Sequence, residues 1–339
     1  MKRLEAFSLG KKFNDPQANE DSFVVIPNVG YAVIDGVTDR NGTRYQGMLS
    51  GQYAARLIKR ATEQYYLAQD DPDAPDFMRY TGPSGFIKYL TNCLHQGYIA
   101  EGVEQIVEKD WKLRAGCTLM AAFRHKDKLE IVAVGDSGIR INGTDTLQVL
   151  KPLDDVMGIL RRETWQYFSE KDMNAHQCDT LAAQITWAGT HNQKPHDITA
   201  DPSLIEEVER RTLLACKELL PHVPEVEFLE LIHHGISHGQ GNFQNVEDRA
   251  LGYGGLDGFA IPEKYIDTRS YDFEDIQSLE LFSDGYFKLG DGFGIEAWER
   301  GFEEVEKLDP HKIGKYLSTK GTTDLTLTDD RTYLGIQLK

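Results

Sequence analysis

Acidic residues stand next to apolar runs at four widely separated points of the sequence. Asp35-Gly36 follows an apolar run, and the same pattern recurs at Asp284-Gly285. Asn19-Glu20-Asp21 precedes the first expected strand, SFVVI, and Asp329-Asp330 precedes the last expected strand of the chain. Strand ends can bring side chains together at one point, and Mg²⁺ and Mn²⁺ prefer carboxylate oxygens. The pattern indicates either a metal site or a set of ordinary turns, because Asp-Gly is also typical of turns.

The metal interpretation has a specific chemical consequence. Two hard cations a few ångströms apart would need one bridging carboxylate and several terminal ones. Such a pair lowers the pKa of a shared water molecule and holds a phosphate group. The acidic clusters are therefore consistent with metal-assisted hydrolysis of a phosphate ester.

The composition is that of an ordinary globular protein. The chain has 339 residues, 40% hydrophobic and 27% charged, with a formal net charge of −17. This acidity makes nucleic acid and anionic membranes poor partners. No run is long enough to span a bilayer, and the N-terminus lacks the apolar segment of a signal peptide. The cysteines are far apart, so we expect reduced thiols in a cytoplasmic protein and no thiolate zinc site.

Hydrophobic periodicity predicts two groups of strands separated by two helices. Two short strands are expected within 22–34 and three within 117–142, with helices over 46–69 and 86–107 between them. The connections are too long for a simple alternation of strands and helices. This order favours helices packed on antiparallel sheets over a doubly wound parallel sheet.

The second half of the chain shows fewer regular signals. Residues 150–275 predict one clear helix, Leu204 to Leu220, inside a long irregular insertion. We expect this insertion to belong to a single domain that spans residues 1–339. Regular structure returns with a strand from Ser278, a helix over 297–308 and a final strand that closes the chain.

Two motifs within this insertion have weaker chemical meanings. Histidines in HHGISH, residues 233–238, could bind a transition metal on a helix, but Gly235 and Gly239 favour a polar loop. GYGGLDG, residues 252–258, lacks the flanking strand and helix that a dinucleotide site needs. We expect a mobile loop there.

Six short motifs together resemble the metal-dependent protein phosphatases of type 2C, the PPM family. They are, in chain order, NEDSF, VIDG, AGCT, VGDSGI, LFSDG and DDRT. The resemblance covers residues 19–36, 115–141, 280–286 and 328–338 and leaves 150–275 unmatched. It implies an α+β fold of a divergent bacterial-type branch: a two-layer antiparallel β-sandwich flanked by helices on both sides, in four layers α-β-β-α.

The resemblance also implies a catalytic centre with two Mn²⁺ or Mg²⁺ ions. Asp35 would bridge the two ions, and the carbonyl group of Gly36 would bind one of them. Asp284 and Asp329 would hold the other ion, which makes Asp35, Asp284 and Asp329 the implied catalytic residues. A water molecule between the ions would attack phosphorus, without a covalent phosphoenzyme.

Three further acidic residues complete the implied metal site. Glu20 and Asp21 would provide a direct or water-mediated ligand. Asp136 would lie close to the centre and could bind a third, weaker ion.

The sequence departs from the family pattern at two positions. Pro16 stands where the family usually has an arginine that binds the substrate phosphate. Lys11, Lys12 and Arg40 are candidate replacements, of which we retain Lys12 and Arg40 as substrate-phosphate residues. Val37 replaces a histidine of many eukaryotic members, which favours a bacterial-type enzyme because bacterial members often lack that histidine.

The implied function is a serine/threonine phosphatase acting on phosphoserine and phosphothreonine in proteins. Two alternatives remain. The missing arginine is consistent with a non-catalytic phosphate-sensing or regulatory domain on the same fold. The unmatched insertion could instead close over a small phosphorylated molecule, which would make the chain a small-molecule phosphatase.

Overall fold

The computed structural model describes residues 1–38, 41–194 and 197–339. Within these residues the strands are β1 (Arg3–Leu9), β2 (Ser22–Ile26), β3 (Gly30–Ile34), β4 (Arg44–Tyr45), β5 (Met48–Leu49), β6 (Leu119–His125), β7 (Lys128–Val134), β8 (Gly138–Ile141), β9 (Asp145–Gln148), β10 (Asp267–Asp272), β11 (Ser278–Phe282) and β12 (Arg331–Gln337). The α-helices are α1 (Ser50–Ala68), α2 (Pro83–Ala100), α3 (Glu104–Lys109), α4 (Pro152–Ser169), α5 (Ala175–Ala188), α6 (Pro202–Leu219), α7 (Glu225–Asn242) and α8 (Ile295–Leu308). Each helix in this part of the chain is too short or too polar to cross a lipid bilayer.

The chain divides into two compact units. The first, here called the sandwich unit, consists of Met1–Leu150, Gly254–Glu303 and Asp329–Lys339. The second, here called the helical unit, consists of Lys151–Tyr253 and Glu304–Thr328. The single domain expected from the sequence stays a prediction.

The sandwich unit contains two five-stranded antiparallel sheets in the described part of the chain. One has the strand order β1-β12-β11-β8-β9 and the other β10-β7-β6-β3-β2. Successive apolar side chains along a strand point to opposite faces of the sheet. On β3, Val33 joins a buried cluster with Leu281 of β11, whereas the next residue, Ile34, joins a second cluster with α1 and α2. The first cluster packs the two sheets together, and the second packs helices on an outer face.

A helix also covers the outer face of the other sheet. Trp298 of α8 packs against Phe282 of β11 and Tyr333 of β12, with ring centroids 4.7 Å and 5.1 Å away. Helices therefore lie outside both sheets, in the order α-β-β-α. The α+β fold class predicted from the sequence, with an antiparallel two-sheet sandwich between helices, is confirmed.

The helical unit differs from the irregular segment that the sequence predicted. Four helices, α4 to α7, occur in the described residues between Pro152 and Asn242, and their apolar faces form a separate buried core. Local capping residues mark the N-termini of two of these helices. Asn174 and Gln177 form a capping box at the start of α5, and Asp201 caps α6. HHGISH lies within α7 and forms no loop, although Gly235 interrupts the helix with a φ of 69°.

Candidate metal centre

Three aspartates converge at one end of the sandwich. Asp35 follows β3, Asp136 lies in the turn between β7 and β8, and Asp284 follows β11. One carboxylate oxygen from each lies within 4.8 Å of the other two. Both sheets therefore contribute carboxylate groups to the same point, which the strand order alone did not require.

The end of β3 is held in place by hydrogen bonds to the neighbouring strands. The backbone carbonyl of Asp35 accepts a hydrogen bond of 2.8 Å from the amide of Thr118. The hydroxyl groups of Thr118 and Ser137 are 2.9 Å apart, which links this strand end to the turn that carries Asp136. Thr118 thus supports the end of the strand that carries Asp35.

Gly36 is required by the close approach of other backbone segments. Its amide donates to the carbonyl of Glu20 at 3.2 Å. A Cβ at this position would lie 2.5 Å from the carbonyl oxygen of Gly51 in α1. Any larger residue would push α1 away from the end of β3, so glycine allows the acidic segment around Glu20 to reach the centre.

Lys11 lies among the other acidic residues of this region, Glu20, Asp329 and Asp330. Its Nζ is 3.2 Å from Glu20 Oε2, 2.9 Å from Asp329 Oδ1 and 3.2 Å from Asp330 Oδ2, and it donates to Thr38 Oγ1 at 2.7 Å. Burial lowers the pKa of Lys11, but the three carboxylates outweigh that effect and raise it well above its usual value. Lys11 is therefore a fixed positive charge next to Glu20 and Asp329.

Two of the three candidate phosphate ligands, Lys11 and Lys12, lie within the described residues. Lys11 is the one in the acidic cluster, and Lys12 is its half-buried neighbour in the chain. Arg40 lies outside the described residues. The predicted phosphate role of Lys12 and Arg40 stays a prediction.

Asp330 connects the segments that carry the acidic residues and was not among the predicted site residues. It accepts hydrogen bonds from the backbone amides of Lys11 at 2.6 Å and Glu20 at 3.3 Å. The signal for it was present in DDRT, where two adjacent carboxylates precede a buried strand. Only the folded structure separates the roles of Asp329 and Asp330. Both contact the ammonium group of Lys11, and Asp330 in addition accepts hydrogen bonds from backbone amides.

Asp21 has a buried carboxylate group whose two oxygen atoms differ in their hydrogen bonding. Its Oδ2 accepts a hydrogen bond of 2.8 Å from Ser283, whereas Oδ1 is buried with no hydrogen-bond partner among the described residues. Burial, and then the negative charge of Asp330, raise the pKa of Asp21 to about 8. An unpaired carboxylate oxygen at this place favours a nearby cation.

The electrostatics of Asp35 also favour a cation at this place. Burial is the main factor that raises the pKa of Asp35 well above its usual value, followed by the charges of Asp21 and Asp329. A hydrogen bond with Asp284 opposes this shift. Several carboxylates held this close repel each other unless protons or cations balance them. This all-oxygen donor set fits a hard divalent cation.

Lys11→Met tests whether the ammonium group occupies the place of a second cation. Methionine retains much of the side-chain length but carries no charge, so Glu20, Asp329 and Asp330 would repel one another. We expect the variant to bind the second Mn²⁺ ion more tightly than the wild type, measured by isothermal titration calorimetry. Lys12→Met is the matched control. The same affinity for a second ion in both variants would contradict a second site at these carboxylates.

Comparison with known proteins gives similarity at the level of structure. No protein-family model and no curated protein matches the amino-acid sequence. The chain matches the serine/threonine phosphatase Stp1 from Staphylococcus aureus with 12% identity and a TM-score of 0.46, over 100% of this chain and 96% of that one. It matches the serine/threonine phosphatase PstP/Ppp from Mycobacterium tuberculosis with 16% identity and a TM-score of 0.41, over 99% and 98%.

A third match is a structure that contains metal ions. It is the catalytic domain of the serine threonine protein phosphatase PstP in complex with two manganese ions, with 15% identity and a TM-score of 0.39. The alignment covers 98% of this chain and 96% of that domain. At these identities and TM-scores the similarity assigns no role to individual residues.

Proposed function

We propose that this protein is a metal-dependent phosphomonoester hydrolase that acts on phosphoserine and phosphothreonine in proteins. The observation that carries the proposal is the convergence of Asp35, Asp136 and Asp284, from both sheets, within 4.8 Å of one another. Each of these aspartates follows a different strand. Three unrelated turn residues would not be expected to meet at one point. The turn interpretation of Asp35-Gly36 is therefore the weaker one.

Three of the aspartates would share one role in the proposed centre. Asp35, Asp136 and Asp284 would hold a divalent cation of the Mn²⁺ or Mg²⁺ class. When bound, such cations lower the pKa of a water molecule and neutralise charge on a phosphoryl group.

The remaining acidic residues surround Lys11. Its ammonium group balances Glu20 and Asp329 and keeps both side chains in a fixed position. It would also supply positive charge close to a bound phosphate. The two ions expected from the sequence remain part of the proposal, with Glu20 and Asp329 as the second set of ligands if the ammonium group moves aside.

Hydrolysis of phosphopeptides with and without Mn²⁺ tests this function. We expect turnover of a phosphothreonine peptide that requires Mn²⁺ or Mg²⁺ and is lost in EDTA. A panel of small phosphate esters, assayed in parallel, separates the alternatives, because a clear preference for small esters would indicate a small-molecule phosphatase. No hydrolysis of either substrate class with divalent ions present would contradict the proposal.

A non-catalytic phosphate-sensing domain is the second candidate function. One observation favours it: the Lys11 ammonium group already balances carboxylates that a second cation would need. The absence of an arginine at Pro16 is consistent with the same function. Saturable binding of a phosphopeptide without any turnover in the presence of Mn²⁺ would support this candidate over the enzyme.

A further inference from the structure

Two histidines and a glutamate meet in the helical unit, within a region that the proposed function does not use. His191 follows α5, Glu209 lies on α6 and His233 lies on α7. The Nε2 atom of His191 is 3.2 Å from Glu209 Oε1, and that of His233 is 3.6 Å from the same oxygen. One ligand atom from each of the three residues lies within 4.8 Å of the others.

The break in α7 explains why the two histidines lie side by side. A φ of 69° at Gly235 interrupts the helix, so the carbonyl groups one turn earlier can bond outside it. The carbonyl of Ile232 accepts from the amide of Thr190 at 2.9 Å, and that of His233 accepts from the amide of His191 at 3.1 Å. The two imidazole rings consequently stack, with centroids 3.7 Å apart and an angle of 13° between their planes.

Two glycines make this backbone contact possible. A Cβ at Gly189 would lie 2.2 Å from the carbonyl oxygen of His233, and a Cβ at Gly235 would lie 2.5 Å from the amide nitrogen of Gly189. Both glycines also have positive φ angles. The segment after α5 and the break in α7 are therefore built to lie against each other, independently of the histidine side chains.

The carboxylate is held by a buried hydroxyl group. Thr190 is 1% exposed, and its Oγ1 donates to Glu209 Oε1 at 2.5 Å. A hydrogen bond of this kind fixes the orientation of a carboxylate before a ligand binds. The neighbouring His238 has a different partner, because its Nε2 lies 2.8 Å from Glu230 Oε1.

We propose that His191, Glu209 and His233 form a binding site for a transition-metal cation of the Zn²⁺ class. Two imidazole nitrogens and one carboxylate oxygen are ligands that Zn²⁺ accepts, whereas the aspartate centre offers only the oxygen ligands that Mg²⁺ and Mn²⁺ prefer. His191 is half-exposed, so solvent can complete the coordination.

A cation at this site would connect three parts of the helical unit: the segment after α5, α6 and the break in α7. Because the three ligands are brought together only in the folded chain, binding would favour the folded state. The bound cation would thus stabilise the packing of these three segments. At a Zn²⁺ concentration 100-fold above Kd, we expect a rise in Tm of roughly 5 °C.

Competition for Zn²⁺ with a chromophoric chelator tests the site on the full, tag-free chain. The Asp284→Asn background weakens the aspartate centre, so that Zn²⁺ bound elsewhere dominates the signal. We expect His191→Ala to weaken Zn²⁺ binding by at least about 100-fold and Thr190→Val by about 10-fold. His176→Ala, which removes an exposed histidine of α5, is the matched control and should bind Zn²⁺ as the parent does.

A second measurement identifies the ligands directly. Co²⁺ bound to the parent protein should give a visible absorption band that His191→Ala and Glu209→Gln both lose and His176→Ala retains. His191 is exposed enough for its replacement to leave the fold intact, which circular dichroism would check. Equal Zn²⁺ affinity in His191→Ala and the parent, or no Zn²⁺ binding by the parent at micromolar concentration, would overturn the proposal.

Discussion

Asp35→Asn is expected to lower Mn²⁺-dependent kcat/KM by at least about 100-fold while leaving the metal-free protein at least as stable as the wild type. The loss of activity follows from the position of Asp35, whose carboxylate meets those of Asp136 and Asp284. Asparagine has nearly the same shape but is a neutral and weaker ligand for a hard cation.

The opposite effect on stability follows from the charge of Asp35. Burial and the charges of Asp21 and Asp329 raise the pKa of Asp35 in the folded chain above its unfolded value. Without a cation, the ionised carboxylate therefore destabilises the folded state as pH rises above the unfolded pKa. Asparagine removes this repulsion at neutral pH.

Two assays on the same variants separate these effects. Phosphopeptide hydrolysis with Mn²⁺ measures activity, and thermal unfolding in EDTA measures the stability of the metal-free chain. Asp73→Asn, at an exposed position, is the matched control and should change neither. A variant that retains more than about a tenth of the activity would contradict the role of Asp35 as a ligand. A large drop in Tm in EDTA would show that the side chain is mainly structural.

Glu280→Ala is expected to lower the free energy of unfolding by roughly 3–5 kcal/mol. Glu280 is 1% exposed and lies on β11, which pairs with β8 on one side and β12 on the other. Its Oε2 accepts from Arg140 Nε at 2.7 Å, and its Oε1 accepts from Trp298 at 2.8 Å and Tyr333 at 2.9 Å. Alanine would leave the buried guanidinium group of Arg140 without its carboxylate and would remove the acceptor of two aromatic donors.

Urea unfolding of a small set of variants measures this effect. Glu296→Ala is the matched control: this side chain is 89% exposed and pairs with Arg300 one turn away, so its loss should cost less than about 0.5 kcal/mol. The double variant Arg140→Leu/Glu280→Leu should be less destabilised than Glu280→Ala, because it leaves no buried charge. A loss below about 1 kcal/mol for Glu280→Ala would mean that water replaces the carboxylate.

Local sequence signals were sufficient for much of the sandwich unit. The two strands expected within 22–34 and the helix over 46–69 correspond to β2, β3 and α1, with boundaries that differ by a few residues. The helix expected over 86–107 stops at Ala100, because Gly102 adopts a φ of 69° and separates α2 from α3. These elements could be predicted because periodicity and turn residues act within a few positions.

The sequence indicated the acidic residues but not how they group. The resemblance implied a catalytic set of Asp35, Asp284 and Asp329 with Asp136 close by. The folded chain brings Asp35, Asp136 and Asp284 within 4.8 Å of one another and gives Asp329 the Lys11 ammonium group as a partner, and the catalytic roles stay a prediction. Lys11 and Asp329 are far apart in the chain, and no local pattern links them. Their distance is set by the pairing of β1 with β12.

The sequence by itself determined the fold class and the strand-end positions of the aspartates. Only the tertiary structure decided which charges are paired, that residues 152–242 form a second core, and that His191 reaches His233. The physical reason is the range of the interactions. Alternation and turn chemistry are local, whereas ion pairs, metal ligands and buried cores form between segments whose meeting depends on the packing of the whole unit.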